Sequence, residues 1–170
     1  CIFLDLSKAF DTINHQILLD KLKHYGFSEL SLTLLSSYLN NRKQYVHLKN
    51  INSDSLDIHT GVPQGSILGP LLFIIYINDL PNSGSSLTPI IYADDTTLYT
   101  KLNPHNIKQS EQNINLELEN VNTWLKVNKL SLNVTKTKFM VFHKPNKKFD
   151  TPQLRLNDTE LNQCDSFNFL

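Results

Sequence analysis

The sequence predicts an α+β domain in which four helices pack on one face of an antiparallel sheet. Short segments that alternate apolar and polar residues, as strands do, come mostly in adjacent pairs, and longer segments with helical spacing separate them. The predicted order is β-α-α-β-β-α-β-β-α-β-β. The chain has 170 residues, 40% of them hydrophobic and 19% charged, which suits one globular domain with a buried core.

The first part of the chain is predicted to hold a strand and two helices. Residues 1–6 form an apolar strand, and 14–24 has helical spacing that stops before Gly26. The second helix runs from Ser28, a suitable N-cap, to Leu39. The side chains that this helix is expected to bury are Leu30, Leu34, Leu35 and Tyr38.

The next part is predicted as a hairpin, a loop and a helix. Residues 44–49 and 55–60 alternate as strands around a turn at 50–54. A loop at 61–65 then leads into an apolar helix over 66–80.

The remaining part is predicted as two strand pairs around a long helix. Its strands are expected at 90–94, 96–101, 137–143 and 153–157. The first two follow each other so closely that the acidic pair between them must lie in the turn. Asn103 and Pro104 predict the start of a helix over 105–129. The apolar face of this helix consists of Ile107, Ile114, Leu118, Val121 and Leu125.

Both ends of the chain, residues 1–4 and 167–170, are core-like, so we expect a piece of a longer protein. The longest apolar run, 67–77, is too short to span a membrane and contains a proline. Cys1 and Cys164 lie far apart without metal-ligand spacing, which favours a reducing compartment.

The formal net charge is zero, which is not the usual signature of a nucleic-acid-binding protein. Acidic residues outnumber basic ones over residues 1–120, whereas 121–150 contains seven lysines and one aspartate. A positive segment beside an acidic region suits a protein that grips a polyanion and holds carboxylates at a metal site. Charge alone is equally consistent with a solvated, lysine-rich surface.

Three segments contain residues suited to chemistry. Asp5 ends an apolar strand, where a carboxylate is either a cap on the next turn or a metal ligand; by itself, the cap is the simpler explanation. Glycines and Pro63 shape the start of residues 61–73, a loop that leads into a helix N-terminus. Free N–H groups there favour a phosphate or a base edge, although a plain strand-to-helix connection has the same composition.

Asp94 and Asp95 are adjacent in a tight turn, where a divalent cation would remove their mutual repulsion; a simple Asp-Asp turn is the alternative.

The segment Tyr92-Ala-Asp-Asp95 resembles the central acidic box of reverse transcriptases. Gly61–Phe73 resembles their template-and-nucleotide loop, in the form typical of non-long-terminal-repeat (LINE-class) retrotransposons. Asp5 with Ala9-Phe10-Asp11 and His15 resembles their first acidic motif. Two more segments match, namely the lysine-bearing segment 132–138 and residues 167–170, which look like the start of the hairpin that leads to the thumb. These motifs keep the family's order and span nearly the whole chain.

The resemblance implies a polymerase palm of ferredoxin-like type with part of the fingers over residues 1–170, and a thumb that begins near 160–170. It implies an RNA-directed DNA polymerase, a nucleotidyltransferase that adds deoxynucleotides to a primer 3′-hydroxyl in retrotransposon replication. The expected partners are an RNA template, a DNA primer and deoxynucleoside triphosphates, without a membrane, in a ribonucleoprotein of cytoplasm and nucleus. Because fingers and thumb are incomplete, we expect the isolated chain to be inactive.

The resemblance also implies two Mg²⁺ ions, which Mn²⁺ can replace, clamping the attacking 3′-oxygen and the leaving pyrophosphate. Asp5 and Asp94 are expected on neighbouring strands, where they bridge the ions. Asp95 points elsewhere and contributes less directly. The backbone carbonyl of Leu6 is expected as a further ligand.

Other residues are expected to contact the substrates. Phe10 would lie beneath the sugar of the incoming nucleotide, where its ring excludes a 2′-hydroxyl, and it can anchor the turn from the core at the same time. Gln64 is expected to contact the nucleotide or the template base, with Gly65 permitting close approach. Tyr92 is assigned to the substrate site as well.

Lys136 is expected to protonate or neutralise the leaving pyrophosphate, with Lys138 as the second candidate; a solvated surface lysine is the alternative for each. Asp11 and His15 are expected to hold the first helix rather than do chemistry.

Two other functions stay open. A domain that has lost catalysis and only binds nucleic acid or a protein is one, and another palm enzyme, such as an intron-encoded maturase or an RNA-templated RNA polymerase, is the other. The presence of all three carboxylates counts against the first. Phe10 and the amino-acid sequence of residues 61–73 favour the retrotransposon type over both.

Overall fold

The computed structural model describes residues 1–144, 150–157 and 159–167. The chain divides into two compact units, one formed by Cys1–Ser7 with Asn78–Leu170 and the other by Lys8–Ile77. The expected start of the thumb hairpin at 168–170 lies outside the described residues. Among the described helices, none is long and apolar enough to cross a membrane.

Helices and short strands alternate along the chain. The helices are α1 (His15–His24), α2 (Glu29–Leu39), α3 (Leu68–Ile77) and α4 (Ile107–Val127), and Leu80–Ser83 form a 3₁₀-helix. The strands are β1 (Ile2–Leu4), β2 (Arg42–Gln44), β3 (His47–Leu48), β4 (Ile51–Asn52), β5 (Leu56–Ile58), β6 (Thr88–Tyr92), β7 (Asp95–Tyr99), β8 (Lys138–Phe139), β9 (Arg155–Leu156), β10 (Thr159–Glu160) and β11 (Asn162–Gln163).

The first unit contains a five-stranded sheet in the order β11-β8-β1-β7-β6. The apolar strand β1 is central and fully buried, and it pairs antiparallel with β7 and with β8. The predicted antiparallel sheet is confirmed for β8, β1, β7 and β6, whereas β11 runs parallel to β8 at the edge. The packing of the helices on one face stays a prediction.

The long helix α4 contacts the 3₁₀-helix and β9 within this unit. Ile114, Leu118, Val121 and Leu125 are buried as predicted, and Ile107 is half-buried. The predicted start at Asn103-Pro104 is wrong. The N-cap is Asn106, whose side chain accepts the N–H of Gln109 at 3.1 Å, whereas the Asn103 side chain accepts the N–H of His105 in a separate turn.

The strands predicted at 137–143 and 153–157 are shorter than expected, as β8 and β9 show. The apolar residues that follow β8 line a cavity of about 440 Å³ in this unit. Those residues are Met140, Val141 and Phe142.

In the second unit, α1 and α2 begin within one residue of the predicted positions, and the Asn14 side chain caps α1 by accepting the N–H of Ile17 at 3.1 Å. The prediction that α2 buries Leu30 and Leu34 is wrong, since they are 82% and 70% exposed, whereas Leu39 is buried. These two leucines lie one turn apart, on the side of α2 that is turned away from the buried one. The other predicted residues, both half-buried, are Leu35 and Tyr38.

The predicted hairpin is divided into two ladders, β2 with β5 and β3 with β4. Its turn consists of residues 49–50 rather than 50–54, and Lys49 has a φ of 53°, as the first position of a tight two-residue turn can. The next helix, α3, is shorter than the predicted 66–80. The Ser66 hydroxyl lies outside it and accepts the N–H of Gly69 at 3.0 Å.

Candidate active site

The ladder between β1 and β7 brings Asp5 to the acidic turn. It pairs Ile2 with Leu98 and ends with Leu4 opposite Thr96. The same register, continued by one residue, sets Asp5 opposite Asp95. Residues opposite each other in an antiparallel pair have Cβ atoms about 4.5–5.5 Å apart, with their side chains on one face.

The turn between β6 and β7 consists of Ala93 and Asp94 alone, because Tyr92 pairs with Asp95. Ala93 adopts the left-handed conformation, with φ at 53°. The acidic pair predicted to share the turn is therefore divided. Asp94 lies in the turn and is exposed, and Asp95 is the first residue of β7 and half-buried, so Asp95 rather than Asp94 stands on the strand that neighbours β1.

The acidic residues interact electrostatically. The pKa of Asp95 is raised above its ordinary value, first by burial and then by the charges of Asp94 and Asp5. Neighbouring negative charges raise a carboxyl pKa because they disfavour the ionised form. The charges of Asp94 and Asp5 therefore act on Asp95 across the end of the sheet, and a cation bound there would relieve their repulsion.

These carboxylates do not form a closed metal cage. Across residues 1–144, 150–157 and 159–167, no group of three or more His, Cys, Asp or Glu side chains is arranged to hold a metal ion by itself. Mg²⁺ usually binds one or two carboxylates together with waters and substrate phosphates, rather than an all-protein cage. An open set of hard carboxylate oxygens fits that ion.

The carbonyl of Leu6 points toward the acidic side of β1. Leu6 forms an isolated antiparallel bridge with Leu132, and the bridge is flanked by two backbone hydrogen bonds of 2.8 Å, from Asn133 to Asp5 and from Ser7 to Ser131. In such a pair, the N–H and C=O of the bridged residue point away from the partner. Since Leu132 leads toward β8 on one edge of β1, this carbonyl is directed to the other edge, where β7 begins.

Three further candidate residues of this unit are exposed. Tyr92 is 79% exposed and pairs with the first residue of β7, so the two share a face of the sheet. Lys136 lies in the turn that precedes β8. Lys138 pairs with Phe3, two residues before Asp5, and so lies on the face of the Asp5 side chain.

In the second unit, the loop at 61–65 is fastened to the segment before α1. The N–H of Gly61 donates to the carbonyl of Ile13 at 2.8 Å, and the buried His15 ring forms a hydrogen bond of 2.8 Å with the Gly61 carbonyl. Gly61 has a φ of 80°, and a Cβ there would lie 2.8 Å from the backbone of Asp11. This approach is open only to glycine.

Phe10 and Gln64 lie on this docked segment. The Phe10 ring packs on Phe73, with centroids 4.9 Å apart and planes tilted by 40°, and its carbonyl accepts the N–H of Val62 at 2.9 Å. The side-chain amide of Gln64 donates to the Asp11 carboxylate at 2.7 Å. Gly65 follows with a φ of 78° and open space where a Cβ would be.

The expectation that Asp11 holds the first helix is wrong, because its carboxylate accepts from Gln64 in the loop at 61–65. His15 is the first residue of α1, and its ring ties that helix to the Gly61 carbonyl. The contact between Asp11 and Gln64 was not predicted. The two residues are 53 positions apart, and neither has a local signal that names its partner.

Carboxylates gathered at the junction of β1 and the β6–β7 turn, in a sequence that keeps the order of the motifs described above, are typical of one class of nucleic-acid-synthesising enzymes. The chain belongs to the reverse transcriptase (RNA-dependent DNA polymerase) family, which it matches over residues 1–170. The predicted resemblance to reverse transcriptases is thereby confirmed, and similarity to polymerases of LINE-class retrotransposons confirms the predicted class.

Its relatives come from mobile elements. The chain is 34% identical over 143 residues to a probable RNA-directed DNA polymerase from transposon BS of Drosophila melanogaster, a match covering 80% of this chain and 16% of the relative. It is 30% identical over 175 residues to the RNA-directed DNA polymerase from mobile element jockey of Drosophila funebris, covering 99% of this chain and 19% of the relative. The chain thus spans less than a fifth of the length of these relatives.

Proposed function

We propose that this chain is the catalytic part of an RNA-directed DNA polymerase that extends a primer 3′-hydroxyl on an RNA template, using deoxynucleoside triphosphates, in retrotransposon replication. The observation that carries the proposal is the register of β1 and β7. It brings Asp5 to the acidic turn closely enough for the charges of Asp5 and Asp94 to raise the pKa of Asp95. Membership of the family supports the choice of template and substrates.

Two Mg²⁺ ions, which Mn²⁺ can replace, would be held by Asp5, Asp94 and Asp95, with the carbonyl of Leu6 as a further ligand. When bound, such ions stabilise negative charge on the attacking and leaving oxygens. The fold of the chain determines where the carboxylates that would hold these ions lie. The ladder fixes the spacing of Asp5 and Asp95, and the two-residue turn holds Asp94 beside them.

Phe10, Gln64 and Gly65 are proposed for contacts to the nucleotide or the template. Phe10 would exclude a 2′-hydroxyl, and its packing on Phe73 restrains the ring from turning aside. Gln64 donates its amide N–H to Asp11, which leaves its carbonyl oxygen for the nucleotide or the template base, and Gly65 adds no side chain at the same loop. Tyr92 is proposed for the substrate site because it is exposed on the acidic face.

Lys136 is proposed to neutralise the leaving pyrophosphate. Lys138 is the second candidate, and its pairing with Phe3 supports it, because this pairing sets it on the face of Asp5.

The finer architecture belongs to the same proposal: a palm of ferredoxin-like type with part of the fingers over residues 1–170, and a thumb from about 160–170. The four antiparallel strands with β1 between β8 and β7 support it, since they set the first acidic motif beside the central one.

The test is Asp94→Asn in the longer polymerase that carries this chain. The substitution removes one charge from the metal site and keeps the side-chain shape, so we expect primer extension to be abolished while primer–template binding is nearly unchanged. Asp20→Asn, which neutralises an exposed carboxylate on α1, should keep full synthesis. Synthesis at the wild-type rate, or loss of cooperative melting, in Asp94→Asn would contradict the proposal. A wild-type polymerase that binds primer–template but never extends it would favour the nucleic-acid-binding alternative.

A further inference from the structure

The backbone of Asp5 is held by a turn that follows α4. Beyond β1 the ladder with β8 stops, because residues 134–136 leave the sheet as a turn. The two polar backbone groups of Asp5 nevertheless find partners at the two ends of that turn. The Asp5 carbonyl accepts the N–H of Asn133 at 2.8 Å, and the Asp5 N–H donates to the hydroxyl of Thr137 at 3.4 Å.

Backbone N–H groups along β1 point alternately to its two edges, and this explains why the Asp5 N–H bonds to the Thr137 side chain. The carbonyl of Cys1 accepts the N–H of Met140 on the β8 side, and Phe3 pairs with Lys138. Asp5, two residues further, directs its N–H to the same side. The regular partner at that position would be a backbone carbonyl, but the turn has moved it away, and the Thr137 hydroxyl takes its place.

The Thr137 hydroxyl is fully used in this arrangement. Thr137 is only 1% exposed, and its Oγ1 donates to the carbonyl of Asn133 at 3.0 Å. A hydroxyl donates one hydrogen bond and retains lone pairs to accept another, so it can bridge that carbonyl and the Asp5 N–H. Removing the hydroxyl would leave two buried or half-buried backbone groups with one partner fewer.

We infer that Thr137 is a positioning residue for the metal-binding carboxylate of Asp5. It holds the Asp5 backbone where the sheet no longer does, and so fixes the direction in which the carboxylate leaves the strand toward Asp94 and Asp95. The inference rests on the proposed function, because it concerns the metal site proposed above. Groups that orient a metal ligand typically contribute about 10- to 100-fold to metal affinity.

The experiment titrates the isotope-labelled 170-residue chain with Mn²⁺ and follows the paramagnetic broadening of the amide signals around Asp5, Asp94 and Asp95. Thr137→Val, which replaces the hydroxyl by a methyl group, is expected to weaken Mn²⁺ binding about 10-fold. Thr137→Ser keeps the hydroxyl and should bind within about twofold of wild type. The matched control is Thr96→Val. Thr96 is as deeply buried, but its hydroxyl has no hydrogen-bond partner in the described part of the chain, so this variant should bind Mn²⁺ as wild type does.

Thermal melting accompanies each titration. If Thr137→Val does not melt cooperatively, Thr137→Ala replaces it, because alanine sets no methyl group against the Asp5 N–H. Wild-type Mn²⁺ affinity in a folded Thr137→Val or Thr137→Ala chain, or equal weakening in Thr137→Ser, overturns the inference. So does a failure of both hydroxyl-free variants to fold, which would mean a purely structural role. An Asp5→Asn chain broadened by Mn²⁺ as strongly as wild type would instead overturn the proposed metal site itself.

Discussion

The two groups of candidate site residues are held by different means. Asp5 and Asp95 owe their spacing to backbone hydrogen bonds, because β1 is paired on both edges and the ladder with β7 ends at Leu4, the residue before Asp5. Gln64 lies on a loop, and its side-chain amide donates a hydrogen bond to the carboxylate of an exposed residue, Asp11. That loop approaches the chain closely only because Gly61 has no side chain.

Because of this difference, the two groups should tolerate different amino-acid substitutions. Backbone pairing is largely indifferent to side-chain identity, so the spacing of the carboxylates should survive most substitutions that leave the sheet intact. The loop depends on particular side chains and on one glycine. Substitutions there should therefore change geometry at the proposed nucleotide contacts without unfolding the sheet.

The largest effect is expected for Gly61→Ala. The added Cβ would meet the Asp11 backbone at 2.8 Å, which cannot swing aside as a flexible side chain can. Gly65→Ala is the matched control, since it has nearly the same φ but open space around the Cβ; the left-handed conformation alone costs about 1–2 kcal/mol. Urea unfolding should show Gly61→Ala to be less stable than Gly65→Ala by about 1–3 kcal/mol more. Equal losses would mean that the loop can move away from Asp11.

Phe10→Ala should alter substrate choice. If the ring lies beneath the sugar, its removal opens space for a 2′-hydroxyl, and kcat/KM for ribonucleotides should rise about tenfold relative to deoxynucleotides in the longer polymerase. Losing the contact with Phe73 also destabilises the chain, by less than the roughly 3–5 kcal/mol of a fully buried phenylalanine. Leu18→Ala, which weakens the buried core of the same unit, controls for this loss. An unchanged ratio in folded Phe10→Ala would remove Phe10 from the site.

Local signals predicted the starts of α1 and α2 but not that of α4, whose N-cap is Asn106 rather than Asn103. The predicted N-cap Ser28 starts α2 because its side chain accepts the N–H group three residues on, and Asn14, predicted as the first residue of α1, caps that helix in the same way. Such contacts are encoded within a few residues. The acidic turn was predicted in the same way, from the short distance between two strand-like runs. The sequence did not predict that Asp94 lies in the turn and Asp95 on the strand, because this depends on the pairing of Tyr92 with Asp95.

Features that depend on distant partners were missed. The exposure of Leu30 and Leu34 follows from which side of α2 is buried, and helical spacing alone does not say which of two apolar sides that is. The parallel edge strand β11 and the bond from the Asp5 N–H to Thr137 join residues more than twenty positions apart. No local pattern identifies such partners.

Asp95→Asn is expected to stabilise the metal-free chain by a modest amount. A raised carboxyl pKa means that the folded state disfavours the ionised form of Asp95. Ionised Asp95 therefore destabilises the fold at pH values above its raised pKa. The lost stability returns as the pH falls through that pKa toward the ordinary value of 3.8. Near neutral pH with a chelator, the Asn variant should melt a few degrees higher than wild type. Adding Mg²⁺ should raise the wild-type melting temperature and move the variant less. A lower melting temperature for the variant would contradict the repulsion inferred at the turn.

The smallest effect is expected for Asp11→Ala, which removes the acceptor of the Gln64 amide. An exposed hydrogen bond contributes about 0.5–1.5 kcal/mol at most, so melting should hardly change. If Gln64 contacts the nucleotide or the template base, its freed side chain should raise KM for the nucleotide about two- to fivefold, because ordering a side chain on binding costs about 0.5–1.5 kcal/mol, with kcat nearly unchanged. Asp20→Ala is the matched control, since Asp20 accepts from the amide of Gln16 at 2.9 Å on α1, a pair of the same kind away from the loop. A KM shift of equal size in Asp11→Ala and Asp20→Ala would mean a general effect of the lost charge. Asp11→Asn keeps an acceptor oxygen, so it should restore most of the wild-type KM only if the hydrogen bond itself orients Gln64.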